Sequence, residues 1–149
     1  MAEITNSEKV IEFSSLGSED QELVKASVKA REFAYCPYSQ FKVGAAVRVQ
    51  EGSIFTGCNI ENAAYPDSLC AERTALAKAV SEGNTNFSAV AVSGLLEPDQ
   101  KFVFPCGSCR QFISEFSRDR DVTIYIVKPD LKNVLVTSVK QLLPHSFHF

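Results

Sequence analysis

The chain has 149 residues, of which 45% are hydrophobic and 22% are charged, and its formal net charge is -3. This composition is typical of a globular domain and excludes a disordered tail, while the acidic balance argues against a long nucleic-acid-binding surface. Because a chain of this size fits one core, we expect a single domain over residues 1–149, with about 1–17 as a loose N-terminal segment.

The N-terminal stretch MAEITNSEKVIEF does not have the pattern of a secretory signal, because it has acidic residues where a signal needs basic ones. No segment reaches the ~18 apolar residues that a membrane span requires. We therefore expect a soluble, cytoplasmic protein with neither a membrane nor a nucleic acid as partner. Thiols stay reduced in that compartment, so clustered cysteines more often indicate a metal or a catalytic site than disulfides.

The first half of the chain predicts one helix followed by a β-hairpin. Ser18–Gln21 has the spacing of a capping box, and apolar residues then recur at helical period until Pro37. From Phe41 to Val49 every second residue is apolar or alanine, which is typical of a strand with one buried face. A second strand, SIFTGCNI, follows a short turn at Glu51 and Gly52.

The second half predicts two helices and three strands. One helix begins near Cys70, with Asp67 and Ser68 as its cap, and the strand FSAVAVSG follows it. Pro105 introduces the other helix, and the strands VTIYIVK and NVLVTS come after it. This order predicts an α/β fold with a mixed five-stranded sheet and helices on its faces. Ligands of such sheets bind near the carboxyl ends of strands, where helix N-termini also lie.

Three of the five cysteines lie at the predicted starts of these two helices. Cys70 begins the first helix, and Cys106 and Cys109 form a C-x-x-C motif at the start of the second. Three cysteine ligands with an open fourth position are typical of catalytic zinc, whereas structural zinc usually has four protein ligands. Cys36 and Cys58 lie outside these motifs, and we expect them to be small buried hydrophobic residues.

Charged residues follow the cysteines at both helix starts. Glu72 lies two residues after Cys70, and from the first helical turn it can reach water on a metal that lies beyond the helix end. Three thiolates and one Zn²⁺ leave a net charge of about -1, which a neighbouring guanidinium offsets by hydrogen bonding to sulfur. Arg73 and Arg110 are both placed for this role, and we favour Arg73.

Five short segments follow one another from Cys36 to the tail: CPYSQFKVGAAV, GCNIENAAYP, CAERTA, PCGSCRQ and LLPHSF. In this order they resemble the zinc-dependent cytidine deaminases, whose class uses a cysteine-rich zinc site and a glutamate that is not a ligand. The resemblance implies a three-layer α-β-α sandwich, a homotetramer, and one Zn²⁺ per chain held by Cys70, Cys106 and Cys109. It also implies hydrolytic deamination of cytidine and deoxycytidine in pyrimidine salvage, with Glu72 as the proton shuttle.

The resemblance also implies a set of substrate contacts. Asn59 and Glu61 would face the ribose hydroxyls, Phe41 would lie beside the base, and the backbone of Ala71 would meet the base carbonyl. Neighbouring subunits would complete each site through residues that match Ala63, Tyr65 and Phe147.

Two other functions stay open on the sequence. One is deamination of a related aminopyrimidine or of cytosine within a polynucleotide, although a polynucleotide needs a basic channel that the acidic composition disfavours. The other is a non-catalytic, zinc-stabilised binding module in which Glu72 is the fourth ligand. A purely structural zinc site gives no reason for the ribose-contact motif to accompany it.

Overall fold

A six-stranded mixed sheet organises the computed structural model, which describes residues 8–97 and 101–149. The strands are β1 (Lys9–Glu12), β2 (Gly44–Val49), β3 (Ile54–Cys58), β4 (Phe87–Ser93), β5 (Thr123–Val127) and β6 (Asn133–Ser138). Their order across the sheet is β1-β6-β5-β4-β2-β3. Strands β4 and β5 are parallel, and the other neighbouring pairs are antiparallel. The predicted α/β class with a mixed sheet is therefore confirmed.

The sheet has one strand more than the five that we predicted. The additional strand, β1, lies inside the segment 1–17 that we expected to be loose, and it pairs with β6 through Lys9 opposite Val136. Only four residues long and mostly exposed, β1 lacks the apolar alternation that reveals a half-buried strand. Residues 1–7 of the predicted loose segment lie outside the described residues.

Helices cover both faces of the sheet, as expected for a three-layer sandwich. They are α1 (Ser18–Ala30), α2 (Ala71–Ser81), α3 (Gly107–Glu115) and α4 (Val139–Leu142), with 3-10 turns at Phe13–Ser15, Arg31–Phe33 and Tyr65–Asp67. Residues of α2, α3 and α4 share one hydrophobic core, and α1 contributes to the other. In β4, Val90 and Val92 point into the first core while Ala89 and Ala91 point into the second. Within the described ranges, no helix combines the length and apolar character needed to cross a membrane.

Two predicted element starts differ from the structure. Helix α1 has Gly17 as its N-cap, without a side-chain bond, and Gln21 Nε2 donates instead to the Leu16 carbonyl at 2.9 Å. The predicted capping box is therefore wrong. Strand β2 begins at Gly44 and not at Phe41, although Val43 and Phe41 still pack toward the same core as the strand's inward residues.

Close backbone contact fixes α1 and α2 on the sheet at two glycines. A Cβ atom at Gly44 would lie 2.1 Å from the Ser27 carbonyl oxygen, and a Cβ at Gly57 would lie 2.4 Å from the Ala75 backbone nitrogen. Both contacts involve backbone atoms, which cannot move aside as a flexible side chain can. The two glycines therefore let the helices approach β2 and β3 more closely than any other residue would allow.

We expect Gly44→Ala to lower the free energy of unfolding by roughly 3 kcal/mol or more, because the methyl group must displace α1 from the sheet. Gly17→Ala is the control, since a Cβ there meets no described atom within 4 Å. Its effect should stay below about 1 kcal/mol, the scale of a change at a helix cap. Urea unfolding of both variants measures the difference. Equal stability of the two variants would contradict the close approach of α1 to β2.

Candidate active site

The starts of α2 and α3 meet at one edge of the sheet. The pairings of Gly44 with Cys58 and with Ser93 place the beginning of β2 and the ends of β3 and β4 at this edge. Helix α2 follows β3 after a loop, and α3 follows β4, so both helices begin here. The topology thereby brings together the two sequence segments in which the cysteines lie.

Three cysteine sulfurs form a cluster between these helix starts. Cys70 is the N-cap of α2, Cys106 is the N-cap of α3, and Cys109 lies in the first turn of α3. The Cys70 and Cys106 sulfurs are 3.9 Å apart, those of Cys106 and Cys109 are 3.6 Å apart, and all three lie within 4.8 Å of one another. Tetrahedral zinc with Zn–S bonds of about 2.3 Å needs sulfurs about 3.8 Å apart, so the cluster fits a zinc ion.

The cap that we predicted for α2 is wrong. Cys70, and not Asp67 or Ser68, is the N-cap, and its side chain makes no capping hydrogen bond within the described part of the chain. Ser68 Oγ instead accepts a hydrogen bond from the Asn62 backbone at 3.0 Å. The first turn of α2 is therefore left open toward the cysteine cluster.

Hydrogen bonds within the cluster favour thiolate at Cys70. The Cys109 thiol is the main cause that lowers the pKa of Cys70 to about 5, and Arg73 adds to this against the opposing effect of burial. The same hydrogen bond to Cys70, together with burial, raises the pKa of Cys109. Because metal ligation requires deprotonated thiols, binding of a cation would release the protons that remain on the three sulfurs.

Arg73 is the arginine that contacts the cluster. Its Nη2 atom donates to the Cys70 sulfur at 3.6 Å, whereas Arg110 donates to the carbonyls of Pro105 at 2.8 Å and Leu142 at 2.9 Å. Arg110 therefore ties the start of α3 to the end of α4. Of the two arginines considered from the sequence, only Arg73 offsets the charge of the sulfurs directly.

Glu72 lines the same cavity as Cys70 and Cys106 and is nearly removed from solvent. Only 4% of the residue is exposed. Burial raises the pKa of Glu72 to about 7, and the negative charge of Cys70 contributes to the increase. A carboxyl group in this environment can both accept and donate a proton near neutral pH.

The cavity above the cluster has a volume of about 490 Å³. That size lies within the range typical of small-molecule sites. Of the residues named from the sequence, it is lined by Phe41, Asn59, Glu61, Tyr65, Cys70, Ala71, Glu72, Arg73 and Cys106. A cavity of about 560 Å³ also exists near Gln50 and Arg118 at the other end of β2, but no cysteine lines it.

Part of the cavity wall could not be identified from the sequence. It includes Ser39, Leu69, Val103 and Phe104, which lie in loops without helical or strand periodicity. Val103 and Phe104 directly precede Pro105 and Cys106, and this adjacency is the one sequence signal that could have indicated them.

Glu61 and Asn59 line the cavity and also form hydrogen bonds with neighbouring residues of their own chain. Glu61 Oε1 accepts hydrogen bonds from the backbones of Tyr38 at 3.0 Å and Ser39 at 3.1 Å, and Oε2 accepts from the Tyr65 hydroxyl at 3.1 Å. Burial acts to raise the pKa of Glu61, but these hydrogen bonds together lower it. Asn59 binds the backbone of Phe41 and Val43 through both ends of its amide.

The three residues expected from neighbouring subunits lie in different places. Tyr65 lines the cavity of its own chain and contacts Glu61. Ala63 is exposed and does not line this cavity. Phe147 is 65% exposed in the tail, where its backbone N–H and carbonyl both pair with the side chain of Gln111 on α3.

Comparisons with known proteins agree with one another. The family model for the cytidine and deoxycytidylate deaminase zinc-binding region matches residues 17–126. The chain is 47% identical to a cytidine deaminase of Sporosarcina psychrophila, covering 85% of this chain and 90% of that protein. It is 43% identical to a probable cytidine deaminase of Dictyostelium discoideum, covering 85% and 82% respectively. The crystal structure of cytidine deaminase from Burkholderia pseudomallei superposes with a TM-score of 0.77 at 42% identity, over 85% of this chain and 97% of the other.

We expect the purified chain to retain about one zinc ion, and Cys109→Ala to lose most of it, since two sulfurs cannot complete a tetrahedral site. Cys58→Ala is the matched control, because Cys58 lies at the end of β3 and its thiol donates to the Phe33 carbonyl at 3.3 Å. Metal analysis after dialysis against a chelator measures both variants. Full zinc retention by Cys109→Ala would contradict the three-sulfur site.

Proposed function

The chain belongs to the cytidine and deoxycytidylate deaminase family, and we propose that it deaminates cytidine and deoxycytidine hydrolytically to uridine and deoxyuridine. Water replaces the amino group at C4 of the base, and ammonia leaves. The observation that carries this proposal is the meeting of a three-cysteine cluster and a buried glutamate at one cavity of nucleoside size, which Cys70, Cys106 and Glu72 line. A binding module needs no such buried carboxyl group beside its metal ligands.

Cys70, Cys106 and Cys109 are the residues that would hold the zinc ion. Their spacing fits tetrahedral coordination, and the three of them leave a fourth position open. When bound there, zinc supplies an activated water for attack on the base. The N-termini of α2 and α3 stabilise the negative sulfurs through their positive dipole ends, and Arg73 donates a hydrogen bond to Cys70.

Glu72 moves the protons of the reaction. It takes one proton from the attacking water and delivers it to N3 of the ring; it then takes the second proton from the oxygen now attached to C4 and passes it to the departing amino group, which leaves as ammonia. Because Glu72 is 4% exposed, bulk water has little access to the protons that it carries. Burial of Glu72 also keeps the electrostatic interactions of its carboxyl group strong.

The remaining cavity residues bind the nucleoside. We assign Phe41 to the face of the base and the backbone of Ala71, the first residue of α2, to the base carbonyl. Asn59 and Glu61 form the edge that receives the sugar hydroxyls. Glu61 can accept a further hydrogen bond there, because a carboxylate has more acceptor positions than its three present contacts use.

The protein acts, on this proposal, as a cytoplasmic homotetramer without nucleic-acid partners, and residues 1–149 form one domain. Neighbouring chains contribute Ala63, Tyr65 and Phe147 to each site, and Tyr65 does so in addition to lining the cavity of its own chain. Exposed aromatic side chains support an assembly, since Tyr65 is 56% exposed and Phe147 65% exposed. The single sheet joins β1 near one end of the described chain to β6 near the other, which supports one domain.

We expect Glu72→Gln to keep its zinc and to lose at least a factor of ~10³ in kcat, because the amide cannot take a proton from water. Glu82→Gln, an exposed change at the end of the same helix, should retain both zinc and activity. Zinc per chain and conversion of cytidine, followed by ultraviolet absorbance, are measured on the same samples. If Glu72→Gln lost zinc in proportion to activity, Glu72 would be a zinc ligand, and this result would support the hypothesis of a zinc-stabilised binding module.

The tetramer predicts a sedimentation-equilibrium mass close to four times the chain mass of 16.4 kDa. The measurement should cover the protein concentrations used in activity assays, because assembly depends on concentration. A fully active monomer at those concentrations would remove the neighbouring-subunit contributions while leaving the zinc site and Glu72 in place.

A further inference from the structure

The side chain of Asn59 continues the β2–β3 ladder beyond the last strand pair. That pair is Gly44 with Cys58. In the next position, the Asn59 backbone donates to the Val43 carbonyl at 3.2 Å, and the Val43 backbone donates to Asn59 Oδ1 at 2.8 Å. Asn59 Nδ2 then donates to the Phe41 carbonyl at 2.7 Å. One amide group therefore holds the chain on both sides of Lys42.

The preceding residues are held in a conformation that needs such support. Gln40 has φ of 57°, in the left-handed region that residues other than glycine seldom adopt. Glu61 fixes the backbone on its N-terminal side through Tyr38 and Ser39, and Ser39 Oγ accepts from the Phe41 backbone at 3.0 Å. Backbone strain of this kind persists only where the surroundings impose it. Asn59 supplies the fixed point on the C-terminal side.

Phe41 is the residue whose position this arrangement determines. Its ring is half-buried, packs against the core shared with α2, and lines the cavity. With its carbonyl held by Asn59 and its amide held by Ser39, the Phe41 backbone is fixed on both sides of its Cα atom. The location of the ring in the cavity therefore follows from these two hydrogen bonds.

We propose that Asn59 is a positioning residue that acts on the base through Phe41, in addition to facing the sugar. The proposal rests on the function proposed above, because the nucleoside reaction is one of its readouts. Both ends of the Asn59 amide are already engaged by backbone, so each end has half of its hydrogen-bonding capacity left for substrate. The effect of losing Asn59 should therefore persist when the substrate offers no sugar hydroxyl.

The first test compares two substrates. Asn59→Ala removes two hydrogen bonds and should lower kcat/KM for cytidine by about tenfold to a hundredfold. For 2′,3′-dideoxycytidine, which lacks both ring hydroxyls, the loss should be smaller by the missing sugar contact but should still be about fivefold or more. Asn133→Ala, an exposed change at the start of β6, should leave both rates unchanged. A loss confined to cytidine would overturn the proposal in favour of a sugar contact alone.

A second test uses Phe41. If Asn59 acts through the ring, Asn59→Ala should cost little further activity on 2′,3′-dideoxycytidine when introduced into Phe41→Ala, so the two effects on that substrate should be clearly non-additive. Independent, additive losses would overturn the proposal. Melting temperature and zinc content, measured for all four proteins, show whether each variant is folded and loaded.

A third measurement needs neither a variant nor activity. In the wild type, hydrogen exchange should protect the amide of Val43, which donates to the Asn59 side chain. Exchange at the rate of an unprotected loop amide would overturn the proposal. If the wild type proved inactive on every nucleoside, the proposed function would fail, and this exchange result would still decide whether the Asn59 side chain binds the Val43 backbone.

Asn59→Asp is a further variant, of the same size as the wild type. It should lose activity on both nucleosides, because a carboxylate oxygen cannot donate a hydrogen bond to the Phe41 carbonyl.

Discussion

The convergence of two helix N-termini on the cysteine cluster is the interaction on which the site depends. Helix starts have unpaired backbone N–H groups and a partial positive charge, and both favour a nearby anion. In most helices a serine, threonine, aspartate or asparagine satisfies those groups. Here Cys70 and Cys106 occupy the two N-cap positions, and within the described chain neither makes a side-chain capping bond. The unpaired N–H groups and the partial positive charge at these two helix starts can therefore stabilise thiolate sulfur instead of a capping side chain.

Backbone packing holds this convergence in place. Helix α2 lies so close to β3 that only glycine fits at Gly57, where a Cβ would meet the Ala75 nitrogen at 2.4 Å. Such a contact limits sliding of the helix along the sheet, because both partners are backbone. The position of Cys70 at the start of α2 is thus set by the packing of that helix on the sheet. Metal ligands placed by rigid elements keep their geometry better than ligands placed by free loops.

The sequence predicted the chemistry better than the details of the strands and caps. The order of strands and helices limits which strand ends and helix starts can lie on the same side of the sheet. For this reason the sequence alone could predict that Cys70, Cys106 and Cys109 lie close together. The strand β1 was missed because its four residues lie at the edge of the sheet and have little apolar pattern. The cap of α2 was wrongly assigned since cysteine is not a usual N-cap, and Phe104 was missed because loop walls have no periodicity. The alternation of apolar residues correctly placed Val43 toward the core. It does not reveal that the Asn59 side chain accepts the hydrogen bond from the Val43 backbone that another strand's carbonyl would otherwise accept.

Polar groups in the cavity carry structural and chemical tasks together, and this limits how freely they can change. Glu72 is buried where a hydrophobic residue would pack more favourably, and Arg73 Nε is buried without a hydrogen-bond partner among the described residues. A sequence selected only for stability would avoid both. Around them, Glu61 accepts hydrogen bonds from the backbone N–H groups of Tyr38 and Ser39 and keeps acceptor capacity for substrate. Glu72 and Arg73 both lie beside the cysteine cluster, which is where a buried proton carrier and a sulfur-bound guanidinium have a chemical use.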